Sequence, residues 1–429
     1  MKVQAAFDVI VVGAGLAGMF AGALAARHGA RTLVIARGQG GTHLGPGSID
    51  VWGYEPASAA SSAGRSGRSQ VARPLVASPA ASLAQLPAGH CLAVAGVPAL
   101  QAALDEFQAL CKAGNYPLAG ELRRNFKLPT AVGAVRPTCL APQSYALGDV
   151  TREGEMALAC FPGFRDFFAE FAAANLKEAG YAARVVTLDL PEAPKRREAF
   201  ATDLARLFDR PAYREKVAKA WAGALRGVRR LGLPAILGLQ APAEAYADLT
   251  AKLGLEIFEI PCLPPSVPGM RLYNLLLGAL QGASGQLALG PQVSGWLDDG
   301  RVRGVISEPE GGPRAYAGGT VVLATGAFRH GGLVAPERGV VRESVLNLPV
   351  AQGDPWFAPA YWGAQPYARF GVRVNAQLQP VDERGEVVYP NVLAVGGLLA
   401  GADRIGEGSR EGIDLATAWK AVGYARGPK

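Results

Sequence analysis

Histidine, methionine and cysteine are the scarce residues of this 429-residue chain, with four His, four Met and five Cys. Cys91, Cys111, Cys139, Cys160 and Cys262 lie far apart and form no C-x-x-C pair. The chain by itself therefore carries no iron–sulfur or zinc motif, and isolated thiols fit a reducing compartment better than a disulfide framework. Long apolar runs are missing too. The longest, residues 9–26 and 272–289, are broken by glycines that suit turns and tight packing rather than a bilayer. Residues 1–6 lack the charged region, apolar run and cleavage site of a secretory signal, so the expected location is the cytoplasm. Charged residues make up 18% and hydrophobic residues 49%, with 55 Gly. That balance fits a soluble α/β enzyme of two or three domains and excludes a disordered or coiled-coil chain. The net charge of +7 is local: eleven Lys and Arg against four acids between 195 and 230 account for all of it. There Phe200, Leu204, Leu207 and Phe208 fall on one helical side with basic residues opposite. This reads either as a solvated helix face or as a docking surface for an acidic partner or anionic lipid. No aromatic-rich binding motif accompanies the charge, so nucleic acid is not an expected partner.

Glycine is abundant, and its placement is informative. Residues 7–37 hold an apolar strand (7–12), then Gly13-x-Gly15-x-x-Gly18, then a helix that buries Leu16, Phe20, Ala23 and Leu24 and stops at Gly29, then a second strand (31–36). This is a dinucleotide-binding βαβ unit. Gly13 lets the chain turn, Gly15 lets the backbone approach a pyrophosphate, and Gly18 lets the helix lie close on the strand, with free amides at the helix start facing the anion. One position departs from the pattern. Where an Asp or Glu is expected to take the ribose hydroxyls, the strand ends in Ala36, followed by Arg37 and Gly38. Arg37 opens an alternative, since an Arg there accepts the 2′-phosphate of NADP in some folds of this type.

Residues 38–53 are Gly-rich and carry His43, Ser48 and Asp50, and residues 55–90, dominated by Ala, Ser, Pro and Gly, read as a flexible surface insertion. Helical spacing follows over 96–113. Residues 116–268 mix helices with Pro-rich loops and lack a second fingerprint, as a cap or substrate domain would. Short strands are expected around the Asp298-Asp299-Gly300 turn. A buried strand then ends in A-T-G at Gly326, whose small residues let the backbone pass close to a cofactor. The tail has a strand ending at Gly396 and Gly397, a Gly-rich loop, and a helix from about Arg410. In this order the three elements specify a flavoprotein rather than a nicotinamide dehydrogenase. The expected fold is α/β, a discontinuous Rossmann-like flavin-binding domain of the glutathione-reductase/fumarate-reductase type with an inserted cap. Its parts are 1–115 (flavin-binding, first part), 116–268 (cap) and 269–429 (flavin-binding, remainder).

The order of motifs resembles the FAD-dependent oxidoreductase superfamily that includes fumarate reductase. HLGPGSIDV (43–51), LPPSVPGMRL (263–272), ATGAFRHGGLV (324–334) and QPYARFGV (365–372) look like the B subunit of the anaerobic glycerol-3-phosphate dehydrogenase. That resemblance implies a heteromeric complex in which a catalytic A subunit oxidises glycerol 3-phosphate to dihydroxyacetone phosphate. It also implies that an iron–sulfur C subunit meets the membrane, that electrons reach quinone, and that the B subunit binds FMN. Attachment to the inner face of the cell membrane would then run through a partner. FMN has no adenosine and would not miss a carboxylate after Ala36, whereas an intact fingerprint is shaped for the pyrophosphate of FAD. Both flavins stay open here, as does the choice between substrate oxidation, electron relay and a non-catalytic scaffold.

Individual roles follow from flavin chemistry, in which N5 takes hydride and the reduced ring carries negative charge near N1 and the C2 oxygen. The amides around Gly408, Ser409 and Arg410 are candidates to stabilise that charge, with Gly396 and Gly397 beside the ribityl chain. Asp403 would accept from a hydroxyl or else close a turn. His43 and His330, in Gly-rich loops, are the candidate general bases, the alternative being ordinary hydrogen-bonded loop histidines. Arg271 first, then Arg136 and Arg404, are candidates to hold a phosphate monoester; an ion pair or a surface position is the other reading of each. No residue set is expected to bind a metal.

Overall fold

The computed structural model describes residues 2–55, 74–192, 199–290, 292–309, 312–337, 339–359 and 363–426. Residues 56–73 of the expected insertion, and 195–198 of the basic stretch, lie outside the described residues. The principal strands are β1 (Lys2–Val12), β2 (Thr32–Ala36), β3 (Met156–Cys160), β4 (Ala183–Thr187), β5 (Arg230–Pro234), β6 (Glu256–Ile260), β7 (Gln286–Leu289), β8 (Val293–Asp298), β9 (Arg301–Ser307), β10 (Arg314–Leu323) and β11 (Val392–Ala394). The principal helices are α1 (Leu16–Arg27), α2 (Val97–Ala113), α3 (Ala169–Glu178), α4 (Ala201–Phe208), α5 (Pro211–Trp221), α6 (Pro242–Leu253), α7 (Val267–Gly282) and α8 (Arg410–Ala425). The chain forms two compact units, one of Met1–Gly41, Asp50–Phe107 and Leu276–Lys429, the other of Thr42–Ile49 and Gln108–Leu275. Two of the four divisions fall inside α2 and α7, and the other two flank residues 42–49.

In the first unit a seven-stranded sheet runs β7-β2-β1-β10-β9-β8, with β11 also paired to β10. The pairs from β7 through β10 are parallel, and so is β10 with β11. β8 and β9 form an antiparallel meander on the other side. Its turn has positive φ at both Asp299 and Gly300, as a two-residue turn between right-twisted strands needs. β1 lies at the centre, with Val12 level with Ile35 on one side and Leu323 on the other, so the carboxyl ends of these strands open together. Every residue of α1 from Leu16 to Ala26 is buried, the condition of a helix that is apolar all round. A Cβ on Gly22 would run into the side chain of Val34 on β2, which shows how close helix and strand lie.

The second unit holds a feature the sequence reading missed. Residues 116–268, expected as helices and Pro-rich loops, contain a four-stranded, wholly parallel sheet in the order β6-β5-β3-β4. β3, β5 and β6 are five residues long and largely buried, so they lack the alternation that marks a half-exposed strand. Helices cover them through small faces such as Ala169, Ala172, Ala173 and Leu176 on α3, or Ala201, Leu204, Ala205 and Phe208 on α4. Trp221, at the end of α5, stacks on Phe161 with ring centroids 5.6 Å apart and donates its indole N–H to the Asp189 carbonyl.

The basic stretch needs a correction at Arg214. Only 1% of its side chain is exposed. It donates to Asp248, Glu244 and the carbonyls of Phe208 and Asp209, and so belongs to the core rather than to a docking face. Arg206 and Lys219 are exposed and pair with Asp203 and Glu215 one helical turn away. Among the described residues no helix is long and apolar enough to cross a membrane. Removing a buried partner leaves uncompensated groups behind, so Arg214→Ala is expected to lower unfolding free energy by about 3 kcal/mol or more. Arg206→Ala should stay within about 0.5 kcal/mol of wild type. Denaturant unfolding of both variants checks the contrast.

Candidate functional site

The fingerprint glycines do different steric work. Gly13 has φ +117°, and a Cβ on it would meet the backbone of Ala324 at the end of β10. A Cβ on Gly18 would overlap the Gly13 carbonyl oxygen and lie 3.2 Å from Ala324 Cβ. Over Gly15 there is open space, and α1 begins there with no side chain capping its first amides. Turn, close packing and open approach thus fall on Gly13, Gly18 and Gly15 in the roles the motif assigns them. Two further glycines escaped the sequence reading. A Cβ on Gly40 would press on Ala14 O and Gly15 N at 2.6 Å, and one on Gly41 would lie 2.9 Å from His330 Nε2. The G-x-G-G run at 38–41 was the available signal. Gly38 has open space around it, and exposed Arg37 reaches toward Gly331.

The strand ends converge on the start of α1. Ala324 N donates to Val12 O at 2.8 Å. Thr325 Oγ1 is buried with no hydrogen-bond partner. Gly326, at φ +74°, lies against the His330 ring, since a Cβ there would sit 3.0 Å from His330 Nδ1. His330 is thereby held between Gly326 and Gly41. The surrounding chain, then the charges of Arg329, Arg404 and Arg410, hold its pKa below the ordinary histidine value. Gly396 lies near Ala17 of α1 and donates its N–H to Thr417 Oγ1 at 2.9 Å, while Arg404 Nη1 lies across Gly397.

The loop before α8 is closed by its own hydrogen bonds, which corrects three expectations. The amides of Gly408 and Ser409 donate to the carbonyls of Ile405 and Arg404, so they are not free to face a reduced ring. Ser409 Oγ donates to Glu407. Asp403 Oδ1 accepts from the Gly406 amide at 2.9 Å and closes a turn rather than waiting for a hydroxyl. Glu407 is the hub of this loop: Oε2 pairs with His90 Nε2 at 3.1 Å, and Oε1 with Arg369 Nη2 at 2.8 Å and the Asp403 amide. Burial alone would raise the Glu407 pKa. The bond and charge of His90, with Arg369 and the Asp403 amide, outweigh it and hold the pKa below the ordinary carboxylate value.

Four expected site residues belong to the second unit. Arg271 has 1% of its side chain exposed, donates from both terminal nitrogens to Glu259 at 2.8 and 3.0 Å, and donates from Nε to the Gly238 carbonyl. Its fork is taken by a buried carboxylate, so the expectation that it holds a substrate phosphate is withdrawn. Arg136 is half-buried on a two-stranded ribbon opposite Leu128. Ser48 is buried. His43, in the turn Thr42–Leu44, packs edge-on to Tyr273 at 6.3 Å, and its Nδ1 is buried without a hydrogen-bond partner.

In the first unit, then, a glycine-walled cleft meets uncapped helix amides and buried polar atoms, Thr325 Oγ1 and Arg404 Nε, that lack partners. These residues fit a dinucleotide with a pyrophosphate. Among the described residues no group of three His, Cys, Asp or Glu could hold a metal ion. Residues 8–412 match the family described as FAD binding domain, and the chain belongs to that class of flavoprotein. Of the two flavins left open by the sequence, the cofactor is FAD; the NADP reading of Arg37 has no support. The chain is 33% identical over 431 residues to the B subunit of the probable anaerobic glycerol-3-phosphate dehydrogenase of Halobacterium salinarum. It is 30% identical over 429 residues to the B subunit of the anaerobic glycerol-3-phosphate dehydrogenase of Pectobacterium atrosepticum, and both matches cover 96% of each chain. Among solved structures, 3-ketosteroid delta1-dehydrogenase from Sterolibacterium denitrificans aligns over 99% of this chain and 100% of its own, with 13% identity and a TM-score of 0.44. Within the FAD-binding class, the chain belongs to the family of anaerobic glycerol-3-phosphate dehydrogenase B subunits.

Two outcomes follow from this geometry. Gly18→Ala forces backbone apart and should cost about 1 to 3 kcal/mol of stability. Gly15→Ala should cost under about 1 kcal/mol but weaken FAD binding on the order of tenfold, because its methyl enters the open approach. Thermal unfolding beside FAD content after gel filtration separates them. For Glu407, a depressed folded pKa means that its stabilisation is complete above the unfolded carboxylate value and is lost as pH falls through the folded one. Glu407→Ala should therefore cost about 3 kcal/mol at neutral pH and much less in acid, read from unfolding at both pH values.

Proposed function

We propose that this chain is the FAD-carrying member of a multi-subunit oxidoreductase that oxidises glycerol 3-phosphate to dihydroxyacetone phosphate, with electrons leaving through an iron–sulfur partner to quinone. The names of its relatives support the substrate and the existence of a complex. The observation in this chain that carries the chemistry is His330, set between Gly41 and Gly326. Bound FAD supplies the hydride acceptor. His330 takes the proton of the secondary hydroxyl as the hydride leaves the same carbon. Its lowered pKa keeps the ring neutral, and so able to accept a proton, at neutral pH. The charges of Arg329, Arg404 and Arg410 that lower it also attract a phosphate dianion. His43, with its partnerless Nδ1, is the alternative base. The catalytic A subunit and the iron–sulfur C subunit are the expected partners, and attachment to the inner face of the cell membrane would run through them.

Anaerobic mixing of the purified holoprotein with glycerol 3-phosphate tests the reading. Bleaching of the flavin is expected, slowed on the order of 10²- to 10⁴-fold by His330→Gln with FAD retained. In wild type the rate should fall as pH drops through the lowered His330 pKa. A flavin that bleaches only in the assembled complex would make this chain an electron relay, and one that no donor reduces would leave it a scaffold.

A further inference from the structure

Asp414 is a charged group that neither the fingerprint nor the proton transfer uses. It projects from α8 toward the end of β11, where a Cβ on Gly396 would lie 2.7 Å from Asp414 Oδ1 and 2.9 Å from the Cβ of Ala17 on α1. The same oxygen accepts from Arg404 Nη2, which also donates to the Arg410 carbonyl at 2.9 Å. Arg404 Nη1 lies over Gly397, and Gly326 Cα is 3.5 Å from the position a Gly397 Cβ would take. Arg404 Nε is buried without a partner. One end of the guanidinium is therefore tied down by α8, while the rest lies on the glycines that wall the FAD cleft. Only 20% of the Arg404 side chain and 17% of Asp414 remain exposed, so solvent screens their charges weakly.

The remaining charged groups acting on Asp414 are Glu411 and Arg410 on its own helix, while Arg404 and Arg410 also act on His330. The nearby starts of α1 and of Gly396–Leu398 contribute only uncharged residues. Burial pushes the Asp414 carboxyl up to about 6, against the opposing pull of Arg404. A carboxylate this costly to keep ionised beside a half-engaged guanidinium contributes little to stability for its burial. Its position beside the cofactor cleft gives it another use.

We propose that Asp414 is a positioning residue that holds Arg404 against the FAD cleft and offsets its charge, and that the pair thereby sets the reduction potential of bound FAD. The inference rests on FAD binding alone and not on the identity of the substrate. Two-electron reduction places negative charge on the flavin ring, which Arg404 stabilises and the Asp414 carboxylate opposes. Protonating Asp414, or replacing it with its neutral amide, leaves the guanidinium less compensated and favours the reduced cofactor.

The test compares holoprotein of wild type, Asp414→Asn and Arg404→Gln at equal FAD occupancy, by potentiometric titration over about pH 5 to 8. Asp414→Asn keeps the shape and the acceptor but drops the charge. It should raise the equilibrium constant for two-electron reduction about tenfold at the alkaline end, a positive shift of about 30 mV. Wild type should converge on that variant as pH falls below about 6. Arg404→Gln should shift the potential in the opposite direction. Sulfite, an anion that adds to oxidised flavin, gives a second reading: its affinity should rise in Asp414→Asn and fall in Arg404→Gln. Reduction equilibrium constants and sulfite affinities within twofold of wild type, with FAD retained, would overturn the proposal. If Asp414→Asn does not fold, the extra pH dependence of wild type near 6 and the Arg404→Gln shift decide. Wild-type protein that carries no FAD would instead remove the cofactor assignment, a different failure.

Discussion

The first unit depends on side chains that are not there. At the carboxyl ends of β1 and β10 the backbone approaches itself so closely that a single Cβ on Gly13 or Gly18 would meet another main chain, and Gly40 is placed the same way against Ala14 and Gly15. These contacts run in series: Gly18 is excluded from carrying a side chain by the Gly13 carbonyl, and Gly13 by Ala324. Main-chain groups consequently form the wall of the cofactor cleft, and the charged side chains that matter reach it from a second layer. Glu407, His90 and Arg369 lock the loop before α8, while Thr417 fixes Gly396.

Two buried arginines and one half-buried arginine show how the same residue type serves unlike ends. Arg271 is saturated by Glu259 and a carbonyl, and Arg214 by two acids and two carbonyls, so neither has a fork to offer a ligand. Arg404 keeps a buried Nε without a partner and extends over glycine. Unfilled hydrogen-bonding capacity, rather than charge, separates Arg404 from Arg271 and Arg214.

The nucleotide half of the fold was legible because its demands are local and steric. Only glycine meets them at Gly13, Gly18 and Gly326, and the strand–glycine–helix order leaves few alternatives. The second sheet was not legible: β3, β5 and β6 are short, buried on both faces, and without a period that distinguishes them from helix fragments. The site was read in part. His330 could be singled out because it stands inside a glycine motif, and its role as a base is a proposal, but a phosphate-binding arginine and an ion-paired one look alike until the fold brings Glu259, twelve residues upstream, to Arg271. The closure of the Gly408 and Ser409 amides likewise depends on turns that no residue spacing announces. Asp414 gave no signal at all, being one acid in an ordinary amphipathic helix.

The strand order of the first sheet also bears on how the chain is made. β2 finds its outer neighbour in β7, and β1 its inner neighbour in β10, roughly three hundred residues after β1 has left the ribosome. Nearly all of the second unit, residues 108–275, is synthesised in between. A vectorially emerging chain therefore holds a β1–α1–β2 segment in which β1 and β2 can pair with each other while their outer edges wait for β10 and β7 until the inserted unit has been translated. The FAD fingerprint is therefore made long before the strands that flank it in the sheet.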